Sequence, residues 1–155
     1  MSSPAARLDR AWRVLSPLPG GRWLFRQVIR IFVPYSGSIR PDVSRMGPGH
    51  ATVAIRDRRR LRNHLRSIHA LALANLGELA SGLAMVLSLP TGVRGIPLRI
   101  EAEYMKKARG RITAEGRATP PTEVEGDVEA EATAELRDDA GDLVARVTVH
   151  WRLSA

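Results

Sequence analysis

At 155 residues and 17.0 kDa the chain has room for one domain with a real core and too little for two independent ones. Hydrophobic residues make up 44% and charged residues 26%, a balance that excludes a disordered chain. The lack of cysteine excludes a disulfide framework, a thiolate metal site and a thiol nucleophile, and it agrees with a reducing compartment, the cytoplasm being the default.

The net charge of +8 is unevenly spread: residues 1–66 carry fourteen Arg against three acids (+11), and residues 67–155 carry ten Lys and Arg against thirteen acids (−3). A basic half of this kind attracts phosphates, nucleic acid or an anionic membrane without choosing among them. Arg outnumbers Lys 22 to 2, which the amino-acid bias of a GC-rich genome would also produce.

Ser3 followed by Pro4 signals a helix start, and Leu8, Trp12 and Leu15 recur at helical spacing until Pro17 and the Pro19, Gly20, Gly21 cluster stop the run. A second short helix is expected over Arg22 to Phe32, with Arg22, Arg26 and Arg30 in one basic stripe and Trp23, Leu24, Val28 and Ile31 supplying apolar contacts. Such a face packs on its own domain or lies on a membrane surface, and packing is the commoner outcome. No uninterrupted apolar run of the secretory type is present here, whereas a transit peptide stays open. Residues 1–36 thus read as a helical extension and residues 37–155 as the main domain.

Beyond Pro34 the pattern turns to short extended stretches, with strands expected near Ser38 to Met46 and His50 to Arg56 around the Gly47, Pro48, Gly49 turn. From Leu98 a period of two sets Leu98, Ile100, Ala102 and Tyr104 against Arg99, Glu101, Glu103 and Met105. Another strand is expected from Arg111 to Ala118. Val128, Ala130, Ala132, Ala134 and Leu136 then alternate with charged and polar residues, as do Leu143, Ala145, Val147, Val149, Trp151 and Leu153. The Asp138 to Asp142 turn joins these two strands into a hairpin with one buried and one wet face.

Ser67 to Leu89 is apolar on nearly every side and interrupted mainly by His69, Asn75 and Glu78. A helix of that kind is buried all round. Ile68 to Leu89 is long enough to cross a bilayer, but a mid-helix Glu costs about 2.5 to 3.5 kcal/mol on insertion scales. Amphipathic strands on both sides offer a sheet instead, so no transmembrane span is expected and the fold class is α+β, a curved antiparallel sheet around one long helix.

The stretch RNHLRSIHALALANLGELASGLAM, Arg62 to Met85, resembles the motif at the helix start of hotdog thioesterases of the phenylacetate-pathway type. There the pattern is Asn, three later Gly, three later His-Gly-Gly, and nine after the His an acidic residue. This chain matches at Asn63, His69 and Glu78, and departs at Arg66, Ala70 and Leu71 in place of the glycines. The motif is also similar to the Ser-Ile-His-Ala of an uncharacterised hotdog group. The resemblance covers roughly residues 37 to 153 and implies a hotdog fold, active sites between subunits of a homodimer or dimer of dimers, and acyl-CoA or an acyl-carrier protein as partner.

His69 and Glu78 lie nine residues apart, so on one helix they stand about 13 Å apart on opposite faces and cannot meet at one carbonyl. Two antiparallel copies related by a two-fold axis can bring Glu78 of one to the helix start of the other. The expected reaction is thioester hydrolysis with no cofactor beyond the coenzyme A of the substrate. Glu78 acts on water or attacks directly, N–H groups near His69 and Ala70 stabilise the oxyanion, and Asn63 orients His69 or the carbonyl. The plainer alternatives are that Glu78 is a buried acid satisfied by Asn75, the partner's His69 or an Arg, and that His69 caps the helix.

Asn75, Arg66, Lys106, Lys107 and Arg109 are candidate substrate contacts, the last three together with Arg111 for the phosphates of coenzyme A, although a solvated charged turn accounts for each singly. Arg66, standing where the family has glycine, either narrows the substrate entrance or pairs with Glu78. The run Arg56, Arg58, Arg59, Arg60, Arg62 and Arg66 suits phosphate, acyl-carrier protein or nucleic acid, but no nucleic-acid reading motif accompanies it. There is no Gly-rich phosphate loop, no Gly-x-Ser-x-Gly elbow and no His pair at metal spacing, and no metal is expected. A non-catalytic acyl or acyl-CoA binding protein is the second reading.

Overall fold

A computed structural model describes residues 4–155. Its elements run α1 (Pro4–Leu15), α2 (Gly21–Phe32), α3 (Pro34–Gly37), β1 (Asp42–Gly47), β2 (His50–Arg56), a 3₁₀ turn at Arg59–Leu61, α4 (Ala70–Val86), β3 (Arg94–Tyr104), β4 (Arg111–Ala118), β5 (Asp127–Arg137) and β6 (Leu143–Ser154). Ser3, the expected start of the first helix, lies outside the described residues. The six strands form one antiparallel sheet in the order β1-β2-β4-β5-β6-β3, with α4 lying across it. This is the hotdog arrangement.

Small residues let the helix lie directly on the strands. A Cβ at Gly116 of β4 would run into the carbonyl of Ala80, and one at Gly77 of α4 would run into Val147 of β6. Leu76, Ala80, Ala84 and Met85 are fully buried in one core with the inward residues of the sheet, among them Leu136, Val147, Val149 and Leu153. At about 25 cal/mol per Å² of apolar surface removed from water, this layer is the main source of stability.

Several boundaries differ from expectation. The first strand begins at Asp42, not Ser38, because Pro34–Gly37 closes a helical turn, Arg40 takes a left-handed φ of 52° and Pro41 has no N–H to give to a neighbour. The central helix is shorter than Ser67 to Leu89 at both ends: the Ile68 N–H is spent on the Ala108 carbonyl and His69 is extended, while Leu89 precedes Pro90. No helix of the described residues is long and apolar enough to cross a membrane.

The strand expected from Leu98 begins four residues earlier, at Arg94, and is kinked where the register slips between Pro97 and Arg99. Ile100, Ala102 and Tyr104 pair with Val149, Val147 and Ala145, so they share the helix-facing side of the sheet, yet Ile100 and Tyr104 remain 48% and 46% exposed. The helix covers this row poorly, touching β3 mainly at the Tyr104 hydroxyl, because α4 rests chiefly on β2, β4, β5 and β6.

The helical extension does pack on the domain, but of the α2 residues expected to make the contact only Val28 does so, and partly. Phe25 and Ile29 are fully buried in the common core with Leu8 and Trp12, while Trp23, Leu24 and Ile31 stay exposed. The sequence shows apolar residues on two sides of α2, and only the tertiary contacts select which side is covered.

Candidate active site

The loop before α4 is held by Asn63. Its Oδ1 accepts from the Leu65 N–H at 2.9 Å and from the N–H and hydroxyl of Ser67 at 3.2 Å each, and its own N–H donates to the Ser67 carbonyl at 2.8 Å. Asn63 is thereby occupied in its own loop, with no hydrogen bond to His69 among the described residues. Arg66 sits inside this loop with φ 55°, the left-handed region that favours glycine. That backbone requirement gives a physical reason for a glycine at this step of the motif, and Arg66 meets it at the cost of a crowded Cβ. Arg66 forms no ion pair with Glu78 among the described residues.

His69 is the N-cap of α4: its N–H donates to the Leu61 carbonyl at 2.7 Å and its Nδ1 accepts the Leu71 N–H at 3.1 Å. A ring accepting at Nδ1 carries its proton on Nε2 when neutral. The Ala70 N–H, the first of the helix, donates to no group among the described residues, so it stands free at the positive end of the helix dipole. The Ala70 carbonyl accepts from the Tyr104 hydroxyl at 2.9 Å, which ties the end of β3 to the same turn. Sequence reasoning missed Tyr104 in this role; its place at the end of the alternating row was the available signal.

Glu78 lies two and a half turns along α4, half-buried on the same stripe as the half-buried Ala74 and the exposed Leu71. Its carboxyl group has no ion pair and no hydrogen bond among the described residues, and burial against the helix and sheet pushes its pKa above the ordinary glutamate value. Gly82, one turn on, would place a Cβ 3.6 Å from both Glu78 Oε1 and the Trp151 ring, so the acid and the indole flank a position held open by the missing side chain. Trp151 Nε1 is buried without a partner. An unpaired carboxyl of raised pKa can take a proton from water near neutral pH, and a free N–H at a helix start can receive an oxyanion. Within one chain the two stand about 12 Å apart along the helix axis.

The candidate substrate contacts divide. Asn75 is buried, its Nδ2 only 3.5 Å from the Tyr35 carbonyl and its Oδ1 unpartnered, and it lines a cavity of about 220 Å³ with Tyr35, Ser38, Arg60 and His69. Lys106 is committed to Asp138 and Asp142 at 2.7 Å each, and these hydrogen bonds raise its pKa. Lys107 and Arg109 are exposed without an acidic partner among the described residues. They flank Ala108, whose carbonyl receives the Ile68 N–H at 2.9 Å, so the chain brings them to the start of α4. No group of three His, Asp or Glu side chains lies together as a metal site among the described residues.

Comparison with known proteins bears on this geometry. The family model described as a domain of unknown function (DUF4442) matches residues 21–153, taking in α2 as well as the sheet. The solved structure of the genomics target APC5556 is 29% identical, covers 96% of this chain and 99% of its own, and superposes with a TM-score of 0.84. PA5026 from Pseudomonas aeruginosa, described as a probable thioesterase, is 20% identical over 88% of this chain and 96% of its own, with a TM-score of 0.72. Zebra fish thioesterase superfamily member 2 is 22% identical over 84% and 95%, with a TM-score of 0.68. These likenesses carry the hotdog fold. Comparison with curated proteins gives no match.

Proposed function

The chain belongs to the family described as a domain of unknown function (DUF4442), and from that membership on a hotdog fold we propose that it hydrolyses the thioester of an acyl-CoA at a site shared by two subunits. The observation that carries this reading is Glu78: a partly buried carboxyl of raised pKa on a half-covered helix stripe, with no ion pair among the described residues to hold it. A structural acid buried in a core is normally paired. The fold of PA5026, described as a probable thioesterase, and of zebra fish thioesterase superfamily member 2 adds support.

The second subunit is argued from β3. It forms one end of the sheet, with no strand on its outer edge among the described residues, and it carries Ile96, Leu98 and Ile100 about half exposed. A strand edge of this kind pairs with another strand, and a second copy of β3 related by a two-fold axis satisfies both edges at once. That pairing lays the half-covered stripes of the two α4 helices over one shared surface. Glu78 of one subunit then approaches the Ala70 N–H of the other.

In the reaction Glu78 takes a proton from water as the water oxygen adds to the thioester carbonyl. The oxyanion is held by the free Ala70 N–H, and the C–S bond breaks as the proton passes from Glu78 to the departing thiolate, giving a carboxylic acid and the free thiol of coenzyme A. Lys107 and Arg109 sit where they can meet the coenzyme's phosphates. The test is a panel of acyl-CoA thioesters with a thiol-trapping readout, run on the native chain and on Glu78→Gln. Thiol release that disappears in the variant supports the proposal. Saturable acyl-CoA binding with no thiol release by either protein would make the chain a non-catalytic binding protein.

A further inference from the structure

We propose that α2 and α3 form a docking surface for anionic lipid bilayers, with an exposed apolar crown that enters the interface and a row of arginines that meets the headgroups. The proposal is independent of the thioesterase reading.

It starts from the two-sided character of α2. Phe25 and Ile29 account for its packing and are wholly buried, yet Ile31 and Tyr35 are each 74% exposed and Trp23 58%, with Leu24 and Phe32 also uncovered. Folding of this chain leaves Ile31, Tyr35 and Trp23 largely uncovered and Leu24 and Phe32 partly so. At about 100° per residue, Trp23, Ile31 and Leu24 fall on one arc of α2 opposite the buried pair, and the exposed Tyr35 follows in α3 beyond the break at Val33. Large apolar side chains clustered on a surface mark an interaction site, whereas scattered ones do not.

The charge beside them identifies the occupant. Arg22, Arg26 and Arg30 lie between the buried pair and the exposed arc, and on α1 the Arg7 guanidinium stands 5.5 Å from the Phe32 ring. Arg22 and Arg26 share one acid, Asp42, and Arg30 has none among the described residues. Positive charge also collects below the helix: burial first, then the charges of Arg40, Arg26 and Arg60, lower the pKa of Arg58. An apolar crown with Trp and Tyr at its ends and arginines along one flank fits the boundary between headgroups and acyl chains. A soluble acidic partner would satisfy the arginines and leave Ile31 and Trp23 unexplained. The surface also lies away from the proposed subunit contact, since α2 rests on β1, at the opposite end of the sheet from β3. Tyr35 connects it to the cavity at the start of α4.

The experiment is flotation of the full chain with vesicles of pure phosphatidylcholine and of three parts phosphatidylcholine to one part phosphatidylglycerol. The chain is expected to float with the anionic vesicles, to be released by salt, and to stay behind with the neutral ones. Trp12 and Trp151 are buried, so a blue shift of emission on binding reports Trp23. Arg30→Gln should lower the partition coefficient about fivefold. The pair Trp23→Ser and Ile31→Ser should lower it more than about tenfold with the thermal midpoint unchanged, because both residues are exposed. Failure of the native chain to float with anionic vesicles overturns the proposal. So does undiminished flotation of the double variant, or a change in its mass in solution, which would make this face a contact between copies. Should the double variant not fold, Trp23 emission that brominated phosphatidylglycerol leaves unquenched overturns it equally.

Discussion

The Tyr104 hydroxyl donates to the Ala70 carbonyl over 2.9 Å, joining the edge strand β3 to the first turn of the central helix. Ala70 is also the residue whose N–H is free, so the bond fixes the turn on which the proposed oxyanion site depends. Tyr104→Phe removes one partly exposed hydrogen bond and should cost about 0.5 to 1 kcal/mol in urea unfolding. Thioester hydrolysis should fall, while the pH midpoint set by Glu78 stays where it is. A variant with native kcat and KM would detach this bond from the site.

Glu78 links stability to pH with a definite sign. Burial raises its pKa in the folded chain above the unfolded value. The native state therefore keeps its proton to higher pH, and stability falls as pH rises from the ordinary glutamate range through the raised folded-state value. Glu78→Gln should be more stable than the native chain at about pH 8, with the gap closing toward about pH 4. The same substitution should lower kcat by about a hundredfold or more, and native activity should decline as pH falls through that raised value. Melting curves that are parallel across pH would show the acid to be unburied.

Arg66 carries a side chain on a left-handed backbone. Arg66→Gly should stabilise the domain by about 1 kcal/mol, because glycine alone avoids the Cβ crowding. Arg66→Ala should give no such gain, since alanine keeps the Cβ. Equal stabilisation by both would assign the effect to the lost charge in the arginine-rich run.

Gly116 and the Ala80 carbonyl meet where β4 crosses α4, with no space for a Cβ between them. Gly116→Ala should destabilise by about 3 kcal/mol, because backbone on both sides must shift. Gly92, with open space around it but a φ of 93°, is the comparison: alanine there pays only local strain of about 1 to 2 kcal/mol. Equal urea midpoints for the two variants would contradict the close approach.

Among the basic residues near the site, Lys106 is held by Asp138 and Asp142, whereas Lys107 and Arg109 have no acid among the described residues. Paired Lys107→Gln and Arg109→Gln should raise KM for an acyl-CoA severalfold with kcat little changed, and more so at low salt. Lys106→Gln should leave KM alone. The reverse pattern would place the coenzyme on the β5–β6 turn.

The sequence alone determined the order and kind of elements. Strict alternation in Asp127 to Arg137 and Leu143 to Leu153 admits a two-sided sheet, and a helix apolar on nearly all sides must be wrapped by one. The resemblance carried by Asn63, His69 and Glu78 likewise pointed to the loop and helix around Ala70. Tertiary structure decided which apolar faces are covered: Phe25 rather than Trp23, and the inner row of β6 but not that of β3. It also committed Asn63 to its own loop and Lys106 to two acids, leaving Glu78 unpaired. Burial and pairing are sums over neighbours distant in the chain, whereas periodicity is a property of each segment, and that difference separates what could be read from what had to be folded.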